Sequence, residues 1–132
     1  MSRPVKILIV DDHPEIRELI RITFARDNYQ IYSAANGQQA LDIAQAEHPH
    51  VILLDIMMPG MDGYELTRRI RAQRKFKTLP ILALTAKAMK GDRERCIEAG
   101  MDDYIAKPIQ PKSFFEVMKA FLPESSSDPN ME

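Results

Sequence analysis

Asp11, Asp12, Asp55, Thr85 and Lys107 are the residues whose types and placement suit chemistry, because each stands where a short aliphatic run ends. Asp11 and Asp12 follow Ile7-Leu8-Ile9-Val10, and Asp55 follows Val51-Ile52-Leu53-Leu54. Thr85 follows Ile81-Leu82-Ala83-Leu84, and Lys107 follows Ile105-Ala106. Gathered in one place, these carboxylates would repel one another, and a divalent cation held by oxygen ligands relieves that repulsion. Mg²⁺ suits such a set, with Mn²⁺ as a substitute, because it takes one or two protein carboxylates together with phosphate oxygens and water. Asp55 could then attack phosphorus as a carboxylate nucleophile. Phosphoryl transfer needs positioning and neutralisation of charge on the equatorial oxygens. Lys107 supplies a compact cation for that, and Thr85 a hydroxyl donor.

The elements that must bring these residues together are legible in the hydrophobic pattern. Strand-like runs occupy residues 5–10, 30–34, 51–54, 81–85 and 103–106. Between them, 14–26 places Ile16, Leu19, Ile20 and Phe24 on one helical face, and 37–47 does the same with Ala40, Leu41 and Ala44. Phe114, Val117, Met118 and Phe121 form a last stripe, and 64–72 and 91–99 are less periodic helix candidates. Strand and helix alternating five times predict an α/β domain with a parallel sheet covered on both faces. The unbroken apolar run 51–54 fits a central strand, and the more polar 30–34 an edge strand. In such a sheet, ligands bind beyond the carboxyl ends of the strands, where all five chemical residues would meet.

Ile7 to Asp12, Leu54-Asp55-Ile56-Met57-Met58-Pro59-Gly60-Met61-Asp62-Gly63, Leu84-Thr85-Ala86 and Asp103-Tyr104-Ile105-Ala106-Lys107-Pro108 together resemble the receiver domains of two-component response regulators. The match runs from about Val5 to Leu122. It implies the flavodoxin-like (βα)5 fold, a doubly wound parallel sheet in strand order 2-1-3-4-5. It also implies that Asp55 is the phosphoacceptor and that Asp12 and Asp55 ligate the metal. Asp11 would act through bound water, and Met57 would lend only its backbone carbonyl. Ala86 would keep the pocket open, Thr85 and Tyr104 would switch, and Lys107-Pro108 would form the family's cis peptide. Met57 and Lys87 lie where family members tune hydrolysis. By the same resemblance the phosphoryl donor is a histidine kinase or a histidine phosphotransfer protein. Output to a partner of unknown identity would pass through the fourth helix, fifth strand and fifth helix, from a monomer or a phosphorylation-dependent dimer. Its only catalysis would be its own phosphorylation and dephosphorylation.

Taken singly, the same residues have plainer explanations. Asp12 with Glu15 resembles a helix cap ahead of Pro14; Asp55 before Pro59-Gly60 suits a turn, Thr85 is an ordinary strand residue, and Lys107 a solvated lysine. None explains why the five recur at the ends of four strands. His13 beside the acidic pair is expected to face solvent. Tyr104 alone is a half-buried strand aromatic, and Cys96 a helix residue without redox duty. His48 and His50 straddle Pro49 and are not expected to bind metal. The cations from Arg68 to Lys77 fit a helix C-terminus and solubility.

With 132 residues, 45% of them hydrophobic and 28% charged, the chain has room for one soluble domain over 1–122 and not for two. Residues 123–132 read as a disordered tail of Ser, Asp and Pro type. A net charge of -1 speaks against a general footprint for nucleic acid, and no DNA-binding module is visible after Leu122. The single cysteine fits a reducing compartment, and no run reaches the ~20 apolar residues of a membrane helix, so a cytoplasmic location is expected. Met1 and the tail favour a stand-alone receiver over one excised from a hybrid histidine kinase. Two other classes fit less well. A haloacid-dehalogenase-type phosphatase needs a second Asp two residues after the nucleophile, where Met57 or His13 stands. A flavodoxin-like flavin module would place a phosphate against Asp11-Asp12, which repel it.

Overall fold

A computed structural model describes residues 4–24, 29–57, 62–85, 91–107 and 109–122. Five strands alternate with helices: β1 (Val5–Val10), α1 (Pro14–Thr23), β2 (Tyr29–Ala34), α2 (Gly37–Glu47), β3 (Val51–Asp55), α3 (Gly63–Arg71), β4 (Ile81–Thr85), α4 (Asp92–Ala99), β5 (Asp103–Ala106) and α5 (Pro111–Lys119). A 3₁₀ turn, Arg74–Phe76, follows α3 and was not anticipated; one short turn leaves no helical periodicity to read. All strand pairs are parallel and the order is β2-β1-β3-β4-β5, as the pattern and the resemblance led us to expect.

The central strands β3 and β4 are buried at every position, whereas β2 at the edge stays partly exposed along all but its last residue. Side chains alternate across the sheet, so one set of strand residues meets each helical layer. Leu8, Val10, Ile52, Leu54, Ile81 and Ala83 pack with Ala40 and Ala44 of α2, Leu66 and Ile70 of α3, and Cys96 of α4. Ile7, Ile9, Val51, Leu53, Leu82 and Leu84 face the other way, against Ile20 of α1 and Phe114 and Met118 of α5. Burying each such side chain favours the folded state by about 1.5–3 kcal/mol before entropy is counted. A one-residue slip in any central strand would exchange the two sets, so packing pins the register.

Helix starts and stops are chemically marked. Asn36 Oδ1 accepts the Gln39 N–H (2.9 Å) to cap α2, and Asp62 Oδ1 accepts the Glu65 N–H (2.9 Å) to cap α3. Gly100, at φ 110°, ends α4 in the left-handed region that glycine enters without strain. Among the described residues no helix is long and apolar enough to cross a membrane. Ala86, Lys87, Pro108 and residues 123–132, named above for pocket access, hydrolysis tuning, the cis peptide and the tail, lie outside the described residues.

Candidate functional site

Parallel pairing delivers the carboxyl ends of β1, β3, β4 and β5 to one edge of the sheet. The ladder continues one residue past β1, where Asp11 N–H donates to Ala34 O (3.1 Å), and one past β3, where Ile56 N–H donates to Leu84 O (3.1 Å). Lys107 N–H donates to Thr85 O at 2.7 Å and ties the end of β5 to the end of β4. Asp11 and Asp55 are buried (0% and 2% exposed), Thr85 is buried as the last residue of β4, and Lys107 keeps a side-chain exposure of only 15%.

The side chains converge. Lys107 Nζ stands 3.1 Å from Asp11 Oδ2 and 3.5 Å from Asp55 Oδ2. Both are ion-pair contacts without hydrogen-bond alignment, because Asp11 Oδ2 and Asp55 Oδ2, together with Asp12 Oδ1, accept no hydrogen bond from any described residue. Asp55 Oδ1 does accept one, from the Met57 N–H at 3.1 Å. Burial pushes the Asp55 carboxyl above the ordinary carboxylate value. The Asp11 charge adds to that, and Lys107 and the Met57 N–H pull part of the way back. Orphaned buried carboxylate oxygens are expensive unless a cation completes them, so this set fits a metal ion, and its oxygen character fits a hard one.

Two plainer readings fail here. Asp12 does not cap α1: the cap position belongs to His13, and no side chain caps that end. Lys107 is not a solvated lysine. His13 is exposed as expected and also reaches the acids. Its side chain is 53% exposed, yet Nδ1 lies 3.0 Å from Asp11 Oδ1, 3.2 Å from Asp12 Oδ1 and 3.9 Å from Asp55 Oδ2. The hydrogen bond to Asp11, backed by the charges of Asp11 and Asp12, raises the pKa of the imidazole above its usual value. One donor atom from each of Asp11, Asp12, His13 and Asp55 falls within 4.8 Å of the others. The signal for His13 was its place directly after the acidic pair. Arg17, whose Nη1 donates to Asp11 O at 2.6 Å and anchors that backbone, gave none, since it sits a turn into α1.

The remaining expected residues fall nearby or elsewhere. Met57 exposes its side chain (72%), and Tyr104 is half-buried on β5 against the α2–α3–α4 side of the core. Tyr104, Lys107, Gln110 and Val117 line a crevice of about 550 Å³ between β5 and α5. Cys96 is buried in the core. His50 is engaged at the amino end of β3, where Nδ1 accepts the Lys6 N–H (2.9 Å), and belongs to no metal-binding group among the described residues.

Sequence and fold both match known proteins. The family model for the response regulator receiver domain matches residues 7–119. The transcriptional regulatory protein ResD of Bacillus subtilis is 45% identical over 95% of this chain and 51% of its own length. The transcriptional regulatory protein SrrA of Staphylococcus aureus is 39% identical over 92% of this chain and 49% of its own. This chain thus spans about half the length of the curated relatives it matches. Among solved structures, chemotaxis protein CheY4 of Vibrio cholerae superposes with a TM-score of 0.85 at 31% identity, over 90% of this chain and 99% of that one. The receiver domain of the sensor histidine kinase PA1611 of Pseudomonas aeruginosa gives 0.80 at 38% identity, over 89% and 97%. Fold and sequence agree, and the chain belongs to the response regulator receiver domain family.

Proposed function

We propose that Asp55 of this receiver accepts a phosphoryl group from a phosphohistidine on a histidine kinase or histidine phosphotransfer protein, with Mg²⁺ beside it. The observation that carries this reading is the gathering of Asp11, Asp12 and Asp55, whose Oδ2, Oδ1 and Oδ2 atoms accept no hydrogen bond from any described residue, with the Lys107 ammonium beside Asp11 and Asp55. Asp12, Asp55 and the Met57 carbonyl would hold the ion, Asp11 would reach it through water, and Mn²⁺ would fit the same donors. The PA1611 receiver, whose structure has a magnesium ion coordinated in the active site cleft, supports that choice. When bound, the cation neutralises charge on the phosphoryl oxygens.

The chain's own residues do the rest. Met57 N–H holds one Asp55 oxygen and fixes the carboxylate plane. An Asp55 oxygen forms the bond to phosphorus as the P–N bond of the donor breaks. The electron pair returns to the donor imidazole, which takes up a proton on leaving. Lys107 Nζ, which among the described residues makes only ion pairs, can turn to a phosphoryl oxygen, and the Thr85 hydroxyl can donate to another. Drawing Thr85 inward makes room for Tyr104, and the change passes to the surface of α4, β5 and α5, where an output protein would dock by differential affinity. A cytoplasmic setting fits this chemistry. Kinship with transcriptional regulators, a sensor-kinase receiver and a chemotaxis protein matched over 99% of its chain supports three settings, a regulator, a hybrid kinase or a stand-alone receiver.

Incubation with acetyl phosphate and Mg²⁺, followed by intact mass and peptide mapping, tests the proposal. A hydroxylamine-labile adduct on Asp55 is expected, absent in Asp55→Asn and in EDTA. An adduct elsewhere, or none, overturns it.

A further inference from the structure

Phosphoacceptor chemistry leaves one side chain of the cluster without a task, the imidazole of His13. Resting on the reading that the aspartates hold a divalent ion, we infer that His13 Nδ1 is a further donor to that ion, one that tilts the pocket toward nitrogen-accepting transition metals such as Ni²⁺ and Cu²⁺. Two independent features meet at this point. First, Asp55 is buried, and its Oδ2 and Asp12 Oδ1, both within 4 Å of the imidazole Nδ1, accept no hydrogen bond from any described residue. Second, the spacing is that of a coordination shell. With bonds of about 2.1 Å, neighbouring donors of an octahedron lie about 3 Å apart and opposite donors about 4.2 Å apart. Nδ1 is 3.2 and 3.9 Å from Asp12 Oδ1 and Asp55 Oδ2, the two carboxylate ligands of that reading.

Backbone geometry holds the ring there. His13 is the extended N-cap of α1 (φ -97°, ψ 113°), its N–H donates to Asp11 Oδ1 at 2.9 Å, and Pro14 fixes the first helical position. Imidazole has two neutral tautomers. With the proton on Nε2, Nδ1 offers a lone pair where it otherwise donates to Asp11. Mg²⁺ is hard, favours oxygen and sheds water reluctantly, so an imidazole adds little to its binding. Later first-row ions accept imidazole readily and bind more tightly as the Irving–Williams order rises. The other two histidines offer no such arrangement, since neither joins a carboxylate cluster among the described residues.

Titration calorimetry of the tag-free chain with MgCl₂ and with NiCl₂ separates the possibilities, using wild type, His13→Ala, His13→Gln and Asp12→Ala. Circular dichroism melts confirm that each is folded. Loss of a donor should lower Ni²⁺ affinity by about tenfold or more in both His13 variants, at least what loss of a supporting partner costs. Mg²⁺ affinity should stay within roughly threefold. Electron paramagnetic resonance of the Cu²⁺-loaded protein should show nitrogen coupling in wild type and lose it in His13→Ala. Unchanged Ni²⁺ affinity in the His13 variants, or no nitrogen coupling in wild type, overturns the inference. If Mg²⁺ uptake remains and vanishes in Asp12→Ala, the aspartate centre survives that result. Absence of Mg²⁺ uptake in wild type removes both readings.

Discussion

Lys107 stands closer to Asp11 than to the proposed acceptor, with Nζ 3.1 Å from Asp11 Oδ2 and 3.5 Å from Asp55 Oδ2. It is shared between two buried carboxylates and aligned for a hydrogen bond with neither of those oxygens. Such a cation can move to new oxygens on Asp55 without breaking an aligned bond. Lys107→Ala should therefore still gain the acetyl-phosphate adduct, while the amide shifts that phosphorylation causes in β5 and α5 of wild type disappear. Heteronuclear NMR on matched samples checks this. An undiminished shift pattern would remove Lys107 from the relay.

Asp55 carries a charge that folding makes costly in the absence of metal. Its folded pKa is raised, chiefly by burial and then by Asp11, above the ordinary value of the unfolded chain. Above the folded pKa the ionised group therefore subtracts stability. The penalty shrinks as pH falls from the folded pKa to the unfolded one, and is gone below both. Asp55→Asn should melt higher than wild type at pH 7 in EDTA, by a few degrees or about 1 kcal/mol, and the gap should close on acidification. Mg²⁺ at ten times its dissociation constant should add about 1.4 kcal/mol to wild type and nothing to the variant. Scanning calorimetry at two pH values reads both effects; a variant less stable than wild type at pH 7 contradicts them.

Gly63 tests how tightly the site's backbone is packed. A β-carbon there would lie 2.7 Å from Ile56 Cα and 3.0 Å from Asp55 O. Alanine inside a helix normally gains up to about 1 kcal/mol over glycine. Contact with backbone that cannot yield reverses the sign, at a cost of about 1–3 kcal/mol. Gly63→Ala should lower the urea midpoint and slow phosphorylation, because the displaced atoms belong to the residue bearing the acceptor and its neighbour.

Arg71 pins the far end of the sheet. Its guanidinium donates to Gly100 O (2.9 Å), Phe76 O (2.8 Å), Leu79 O (2.6 Å) and Asp102 Oδ2 (3.0 Å), and Asp102 Oδ2 also accepts the Ile81 N–H. Removing the fork strands several partly buried acceptors, so Arg71→Ala should lose about 2–4 kcal/mol. Arg71→Lys should recover little of it, because an ammonium cannot span four acceptors in a plane. Equilibrium denaturation measures both; full recovery by lysine would contradict the fork.

The aspartate pocket was readable early because each of its residues terminates an aliphatic run, so that parallel pairing alone aligned Asp55 with Asp11 and Asp12. Element limits were less legible. Asp55 proved to be the last residue of β3, and α3 began one residue early at Gly63, since end residues answer to caps and neighbouring strands. Arg71 was read as one cation among several near a helix end. Only the fold shows that the carbonyls of Phe76, Leu79 and Gly100 converge on it.

Periodicity and spacing by themselves determined the alternating α/β class, the central and edge strands, and the set Asp11, Asp12, Asp55, Thr85 and Lys107, because these depend on the local order of apolar and polar residues. Tertiary structure alone decided which carboxylate oxygens are left without hydrogen bonds, that Lys107 leans toward Asp11, and that the exposed His13 ring brings Nδ1 to the acids. Those outcomes depend on distances of a few tenths of an ångström between chain segments far apart in sequence, and no local pattern encodes them.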